Sequence, residues 1–204
     1  WDNVEQLILG GRILTHLGLD RKAYALFVKA YRKDKETPIV LYYFAKYLIS
    51  RKGPLSALEF IKQTDLNLFT ENEIKADWLA MKASIYGQYR DWDTAWRLME
   101  ESESISPRRE WLIVERAYLL EQQDKYDEAL LEISNIPSSS KYCRAGGYFK
   151  AYLLYLKNDK DNAIKLLEDI AGNSESVRVF MQLFRWYSND NLTLQAEVYL
   201  EKAK

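Results

Sequence analysis

Histidine and cysteine are almost absent from this sequence, since each occurs once among its 204 residues. With His16 as the only histidine, one chain cannot form a His-based catalytic triad, a His–Cys dyad or a two-histidine metal site. Cys143 alone excludes a disulfide within the chain and fits both the cytoplasm and a disulfide-free periplasmic module. The plentiful carboxylates leave a paired-carboxylate hydrolase as an alternative, but we expect no enzyme, no metal and no cofactor.

The sequence also lacks a charge excess of either sign and any long apolar run. Its 29 basic and 30 acidic residues give a net charge of -1, which predicts no strong attraction to nucleic acid or anionic lipid. No stretch approaches 18 apolar residues, so we expect no direct membrane insertion. Apolar residues make up 48% of the chain and aromatic residues 14%, which is ample for a folded core.

Small and large residues recur with a period close to 34 residues. The anchor of each repeat is an alanine, and a large apolar residue follows four positions later. These anchors are Ala23, Ala57, Ala95, Ala129, Ala163 and Ala196. The one irregular step is the 38 residues from Ala57 to Ala95, and the last step is 33. Unrelated amphipathic helices would not stay in phase in this way, so the sequence contains an internal repeat.

This pattern resembles the tetratricopeptide repeat (TPR) family, in which two helices pack through small residues in every repeat. Repeat four matches the family pattern best, at Ala117, Leu120, Asp124, Tyr126, Ala129 and Ile133. The resemblance implies an all-α, right-handed superhelical solenoid of antiparallel helix pairs. We expect one domain over residues 1–204, part of a longer chain, with repeats at about 4–37, 38–71, 72–109, 110–143, 144–176 and 177–204.

Local signals predict where the helices start and where the repeat is interrupted. We expect helix caps at Asp20, Thr37 and Ser106, and a capping box over residues 70–73. The four surplus residues of the long step lie between positions 62 and 69 and should lengthen a helix end or a loop. Gly146 and Gly147 are expected to allow close helix packing, with a functional hinge as the alternative.

An aromatic row is the candidate binding feature. The TPR resemblance implies that the first helix of each pair lines a concave groove, with exposed positions 18, 15, 11 and 8 residues before the anchor. The groove residues expected on this row are Trp111, Tyr118, Tyr148, Tyr152, Tyr155, Tyr42, Arg12, Lys46 and Arg185. The tyrosines either bind a partner, as Tyr and Trp often do at hot spots, or pack between neighbouring repeats.

These features favour a non-catalytic scaffold or adaptor that holds an extended peptide or a helix of a partner protein in its groove. By analogy alone, a bacterial secretion, export or assembly complex is the expected setting. The alternative is a carbohydrate-binding module of an exopolysaccharide synthesis or export system, because aromatic rings also stack on sugars. Self-association through the last helix is a third hypothesis, since Leu194, Val198 and Tyr199 lie on it.

Overall fold

The structure is a computed structural model, and it describes residues 3–17, 19–107, 109–172 and 177–203. In these ranges it contains twelve α-helices, one short 3-10 helix at Leu66–Leu68 and no β-strand. The α-helices are α1 (Val4–His16), α2 (Asp20–Lys33), α3 (Pro38–Lys52), α4 (Pro54–Gln63), α5 (Asn72–Gln88), α6 (Trp92–Ile105), α7 (Glu110–Glu121), α8 (Tyr126–Ile133), α9 (Cys143–Leu156), α10 (Lys160–Gly172), α11 (Val177–Asn189) and α12 (Thr193–Lys202). The predicted all-α class is confirmed.

The chain divides into two compact units. Unit 1 spans Trp1–Arg108 and holds α1 to α6, and unit 2 spans Arg109–Lys204 and holds α7 to α12. Each unit therefore contains three of the helix pairs that the repeat predicts. All six anchor alanines are buried, with at most 3% of their surface exposed. Because an alanine side chain is short, the two helices of a pair can approach closely at each anchor.

The turn within a pair repeats one arrangement along the chain. Four turn residues, each five positions before an anchor, have φ between 59° and 64°: Arg90, Asp124, Asn158 and Asn191. The amide of the next residue donates to the carbonyl five positions before it, as from Lys125 to Leu120 at 3.0 Å. This is the bond that closes a Schellman motif and satisfies a free carbonyl at the end of the first helix. The repeat is therefore visible in the backbone geometry of these four turns as well as in the buried anchor alanines.

A glycine allows α1 and α2 of unit 1 to pack closely. Gly11 faces the ring of Phe27, and a Cβ atom at position 11 would lie 2.7 Å from the ring Cδ1. The other neighbour of Phe27 is Tyr43 of α3, which stacks on it with ring centroids 4.8 Å apart. The ring is thus held on two sides, and only glycine leaves room for it.

The stretch that contains the four surplus residues of repeat two adds one buried side chain to the core. Leu66–Leu68 is the 3-10 helix, begun by Asp65, whose Oδ1 accepts a 2.9 Å hydrogen bond from the amide of Asn67. The chain then places Phe69 against Trp78 of α5, with ring centroids 4.7 Å apart. Both side chains are buried, at 3% and 0% exposure. The insertion lies within the predicted stretch, and it also supplies a core aromatic residue.

Several helix starts differ from the predicted caps. Leu19 is the N-cap of α2, so Asp20 lies in the first turn, where its charge favours the helix dipole. Thr37 is the N-cap residue of α3, as predicted, but its hydroxyl donates to Asp34 Oδ2 at 2.5 Å. That hydrogen bond, followed by those from the amides of Glu36 and Thr37, lowers the pKa of Asp34. The Thr37 hydroxyl therefore fixes the preceding turn and leaves the helix amides uncapped.

Two further cap predictions are wrong by a few residues. Glu71 is the N-cap of α5 and Arg109 is the N-cap of α7, and neither side chain caps its helix. The predicted box at residues 70–73 and the predicted cap at Ser106 therefore do not form. Tertiary contacts override such local signals, because a cap contributes only about 1 kcal/mol.

In unit 2, Gly146 and Gly147 of α9 both lie against isoleucine side chains. A Cβ atom at Gly146 would lie 2.8 Å from Ile136 Cδ1 of the preceding turn, and one at Gly147 would lie 3.1 Å from Ile170 Cδ1 of α10. Each glycine therefore admits a large isoleucine from a different neighbour. These contacts agree with the close-packing interpretation and require no hinge.

None of the described helices is both long enough and apolar enough to cross a lipid bilayer.

Candidate partner-binding surface

The nine predicted groove residues are divided between the two units. Unit 1 carries Arg12, Tyr42 and Lys46, and unit 2 carries Trp111, Tyr118, Tyr148, Tyr152, Tyr155 and Arg185. The arginines and Lys46 are exposed or half-buried, and the aromatic residues are half-buried. In unit 1, Lys46 Nζ donates to the Tyr42 hydroxyl at 3.4 Å and lies 5.2 Å from the ring centroid. This cation–ring contact is local to α3.

The first aromatic contact of unit 2 joins α7 to α9. Tyr118 packs on Phe149 with ring centroids 4.0 Å apart and planes tilted by 37°. Phe149 is buried, whereas Tyr118 keeps part of its surface in solvent. Burial is the main cause that raises the pKa of the Tyr118 hydroxyl, and the positive charge of Arg178 opposes the rise. Tyr118 is thus a neutral, partly covered aromatic side chain near a cation.

Tyr148 joins α9 to α11. Its hydroxyl donates to Gln182 Oε1 at 3.2 Å, and the guanidinium of Arg178 lies 4.5 Å from the ring centroid. Arg178 is exposed, and Tyr148 and Gln182 are half-buried. A guanidinium over an aromatic ring is favourable by about 0.5 to 1 kcal/mol at an exposed site. The arrangement holds a cation directly beside the tyrosine ring.

Tyr152 lies one helical turn beyond Tyr148 and has an acidic neighbour. Burial raises the pKa of Tyr152, and the negative charge of Glu121 adds to the rise. Burial also raises the pKa of Glu121 itself, with a smaller contribution from the charge of Asp124. Tyr148 and Tyr152 therefore share one face of α9, with Arg178 beside the first and Glu121 beside the second. We call Tyr118, Tyr148, Tyr152, Arg178 and Glu121 the tyrosine surface.

Tyr155 and Trp111 are placed differently from the tyrosine surface. Tyr155 stacks on the buried Trp186 of α11, with ring centroids 4.4 Å apart and planes within 1° of parallel. Lys160 Nζ lies 5.6 Å from the same tyrosine ring. The packing interpretation therefore describes Tyr155 well. Trp111 keeps its indole Nε1 buried, without a hydrogen-bond acceptor among the described residues.

Sequence reasoning missed the residues that hold the tyrosines. Phe149, Gln182 and Trp186 contact Tyr118, Tyr148 and Tyr155 respectively, and none of the three was predicted. The repeat contains a signal for the first two, because both lie 14 residues before an anchor. Large residues recur at that position, as at Tyr43 in repeat two. This row contacts the preceding repeat, as the stacking of Tyr43 on Phe27 shows.

The last helices of unit 2 contain a second tyrosine cluster. The hydroxyls of Tyr187 and Tyr199 both donate to Glu168 Oε1, at 2.8 and 2.9 Å, and their rings stack 5.8 Å apart. Burial and then the hydrogen bond to Glu168 raise the pKa of Tyr199 to about 12 and that of Tyr187 further. Tyr199 thus faces the core, whereas Leu194 and Val198 on the same helix are 78% and 51% exposed.

The described part of the chain contains no cluster of metal-ligating side chains. Within these ranges, no group of three or more His, Cys, Asp or Glu side chains gathers in a way that could hold a metal ion. The side chain of His16 lies outside the described residues. Cys143 is exposed at the start of α9.

Comparison with solved structures identifies the fold. The chain is similar to a thermophilic TPR protein of Thermus thermophilus, at 16% identity over 91% of this chain and 98% of that one, with a TM-score of 0.72. A tetratricopeptide repeat protein from Parabacteroides merdae is 16% identical over 98% of this chain and 77% of its own, with a TM-score of 0.71. A chain of the APC/C hetero-tetramer Cut9–Hcn1 is 14% identical over 98% of this chain and 39% of its own, with a TM-score of 0.68.

The amino-acid sequence alone does not assign the chain to a family. No family model and no curated protein matches it. At such low identities, similarity of structure speaks for the fold alone. Together with the six helix pairs and their repeated turn, it confirms the resemblance read from the 34-residue period. The chain therefore has the tetratricopeptide repeat fold.

Proposed function

We propose that the protein is a non-catalytic interaction scaffold that binds an extended peptide or a helix of a partner protein on the tyrosine surface. The observation that carries the proposal is the placement of Tyr148 and Tyr152 on one face of α9, half-buried, between the charges of Arg178 and Glu121. Fixed aromatic rings provide large contact area at a small entropic cost, because their rotamers are already restricted.

The burial pattern of unit 2 supports this proposal. Ala151, Leu153, Ala163 and Leu167 are fully buried between α9 and its neighbours. Tyr148 and Tyr152 pack against this core on one side and keep part of their surface exposed. A cation beside one ring and a carboxylate near the other would select the direction in which a peptide binds. The surface therefore has both contact area and polarity.

The fold comparison supports the same class of function. One similar chain belongs to the Cut9–Hcn1 hetero-tetramer, in which it assembles with another protein. Similarity at 14% identity says what the fold can do and leaves the partner of this chain unnamed. The bacterial secretion and exopolysaccharide-export settings expected from the sequence stay predictions.

Site-specific photo-crosslinking tests the proposal. A photoreactive amino acid in place of Tyr152 should capture a discrete protein from an extract of the native source, which mass spectrometry would identify. The matched position is Tyr89 of unit 1, which is 46% exposed and outside the tyrosine surface. We expect no equivalent capture from position 89. Adding Tyr148→Ala to the Tyr152 probe should lower the yield by about fivefold or more, since hot-spot truncations cost over about 1 kcal/mol.

Two results would contradict the proposal. Equal capture of the same proteins from positions 152 and 89 would mean that the tyrosine surface has no preferred partner. A purified polysaccharide that quenches Trp111 fluorescence and abolishes crosslinking from position 152 would favour the carbohydrate alternative. Circular dichroism of each variant separates loss of binding from loss of the helical fold.

A further inference from the structure

A basic cleft lies between α2 and α3 of unit 1, and none of its lining residues belongs to the tyrosine surface. Its volume is about 410 Å³, and the side chains that line it include Arg21, Lys29, Arg32 and Arg51. Tyr24 and Tyr47 also line it, with ring centroids 5.8 Å apart. No Asp or Glu is among the described residues that line the cleft. The lining of the cleft therefore carries positive charge.

Positive charge is concentrated in α2 and α3, although the chain as a whole is close to neutral. Helices α2 and α3 together contain eight Lys and Arg residues and one acidic residue, Asp20. The whole chain has a net charge of -1. The positive potential of the cleft is thus a local feature, and the acidic residues that balance it lie elsewhere in the sequence.

The three arginines are available for a ligand. Arg21, Arg32 and Arg51 are exposed, and none of them forms a hydrogen bond or an ion pair with another described residue. In contrast, the hydroxyl of Tyr24 donates to Ser50 Oγ at 2.7 Å, which fixes one wall of the cleft. A guanidinium presents its donors in a planar fork that matches a carboxylate or a phosphate. The site is therefore built for an anion.

The spacing of the arginines indicates the size of that anion. Arg21 and Arg32 are eleven residues apart on α2, which places both on one face and about 16 Å apart along the axis. An extended peptide covers that distance with about five residues. Arg51, at the end of α3, lies beside the same cleft. A short run of acidic residues would therefore reach all three guanidinium groups.

We propose that this cleft binds an acidic, carboxylate-rich segment of a partner protein. A nucleic acid fits less well, because tight binding to a long polyanion needs many phosphate contacts and a broadly basic surface. This chain has 30 acidic residues, and the cleft carries only a few cations. The cleft is a separate site, because its lining residues belong to unit 1 and the tyrosine surface belongs to unit 2. Either proposal can therefore fail its test without affecting the other.

Fluorescence anisotropy tests the proposal with defined peptides. The probe is a fluorescein-labelled peptide with five consecutive Glu residues, and its control has Gln at the same five positions. We expect the Glu peptide alone to bind. Its affinity should fall as salt rises from about 0.05 to 0.2 M, because ions screen exposed charges more strongly at higher salt. Combined replacement by Arg21→Gln, Arg32→Gln and Arg51→Gln should weaken binding at least tenfold.

The matched control removes the same charge from unit 2. Lys125, Arg144 and Lys165 are exposed and lie outside the tyrosine surface, so their combined change to Gln alters the net charge by the same three units. This control variant should bind the Glu peptide as the wild-type chain does. Because all six side chains are exposed, the variants should keep their helical circular dichroism.

Several results would overturn the proposal. These are equal binding of the Gln peptide, an equal loss of affinity in the control variant, or no binding of the Glu peptide at low salt. A single-stranded oligonucleotide that binds more tightly than the peptide through the same arginines would assign the cleft to nucleic acid. Sedimentation that shows a low-salt dimer, absent in the triple arginine variant and unaffected by the peptide, would assign it to a second copy of the chain.

Discussion

The rings of Tyr155 and Trp186 lie parallel in unit 2, with centroids 4.4 Å apart and planes within 1°. This contact joins α9 to α11, which are the first helices of two consecutive pairs. Trp186 is buried at 3% exposure, so the tyrosine covers it on the side of α9. The stack shows that residues of one regular i, i+4, i+7 row can meet different partners, because Tyr148 contacts Gln182 and Arg178 instead.

The stack should contribute strongly to the stability of unit 2. We expect Tyr155→Ala to lower the free energy of unfolding by about 2 to 4 kcal/mol, because it uncovers the Trp186 indole and leaves a cavity. Tyr155→Phe should change it by less than about 0.5 kcal/mol, since it keeps the ring contact. Urea unfolding monitored by tryptophan fluorescence measures both. A large loss with Tyr155→Phe would contradict this role and indicate an essential hydroxyl.

The cluster of Glu168, Tyr187 and Tyr199 should make unit 2 sensitive to alkaline pH. Folding raises the pKa of Tyr199 to about 12, above an unfolded value near about 10. The folded state therefore favours neutral tyrosine. Its contribution is complete below about pH 10 and is lost as pH rises through about 12. Thermal unfolding at pH 9 and pH 11 should show a fall in Tm that Tyr187→Phe with Tyr199→Phe makes smaller.

A single substitution separates the charge of Glu168 from its hydrogen bonds. Glu168→Gln removes the negative charge and keeps an acceptor oxygen for the two hydroxyls, which lie 2.8 and 2.9 Å away. We expect Tyr199 to titrate at a lower pH in this variant, with little change of stability at pH 7. Absorbance at the tyrosinate band against pH measures the titration. An unchanged titration curve would leave burial as the sole cause of the raised pKa.

Two glycines should respond in opposite directions to a methyl group. Gly11→Ala should destabilise unit 1 by about 1 to 3 kcal/mol, because the Cβ atom would overlap the Phe27 ring, which is held by Tyr43. Gly147→Ala should be neutral or stabilise unit 2 by up to about 1 kcal/mol, since helix propensity favours alanine. The nearest atom there is the flexible end of Ile170, at 3.1 Å. Chemical denaturation distinguishes the two, and equal effects would refute the packing account.

The insertion in repeat two should behave as core rather than as a loop. Phe69→Ala should lower the free energy of unfolding of unit 1 by about 3 to 4 kcal/mol, because Phe69 is buried against Trp78. The exposed Asn67, in the same stretch, provides the control. Asn67→Ala should cost less than about 0.5 kcal/mol. Urea unfolding of the two variants tests the contrast, and similar losses would mean that the insertion packs loosely.

The helices could be predicted from the sequence more reliably than their caps. The 34-residue period fixes which residues share a helix face, and all six anchor alanines are buried as the period predicts. The caps at residues 70–73 and at Ser106 do not form. A cap is a contribution of about 1 kcal/mol, which packing easily outweighs, whereas burial of a whole helix face is several times larger.

The sequence by itself determined the repeat, the all-α fold and the phase of each helix pair, because these depend on periodic burial of small and large residues. Only the tertiary structure decided which partner each tyrosine of α9 meets. Tyr155 and Tyr148 lie on one face of α9, yet the first meets Trp186 and the second meets Gln182 and Arg178. These partners belong to the next repeat along the chain. No local sequence pattern predicts such contacts, because each one depends on which side chain of the next repeat lies opposite the tyrosine.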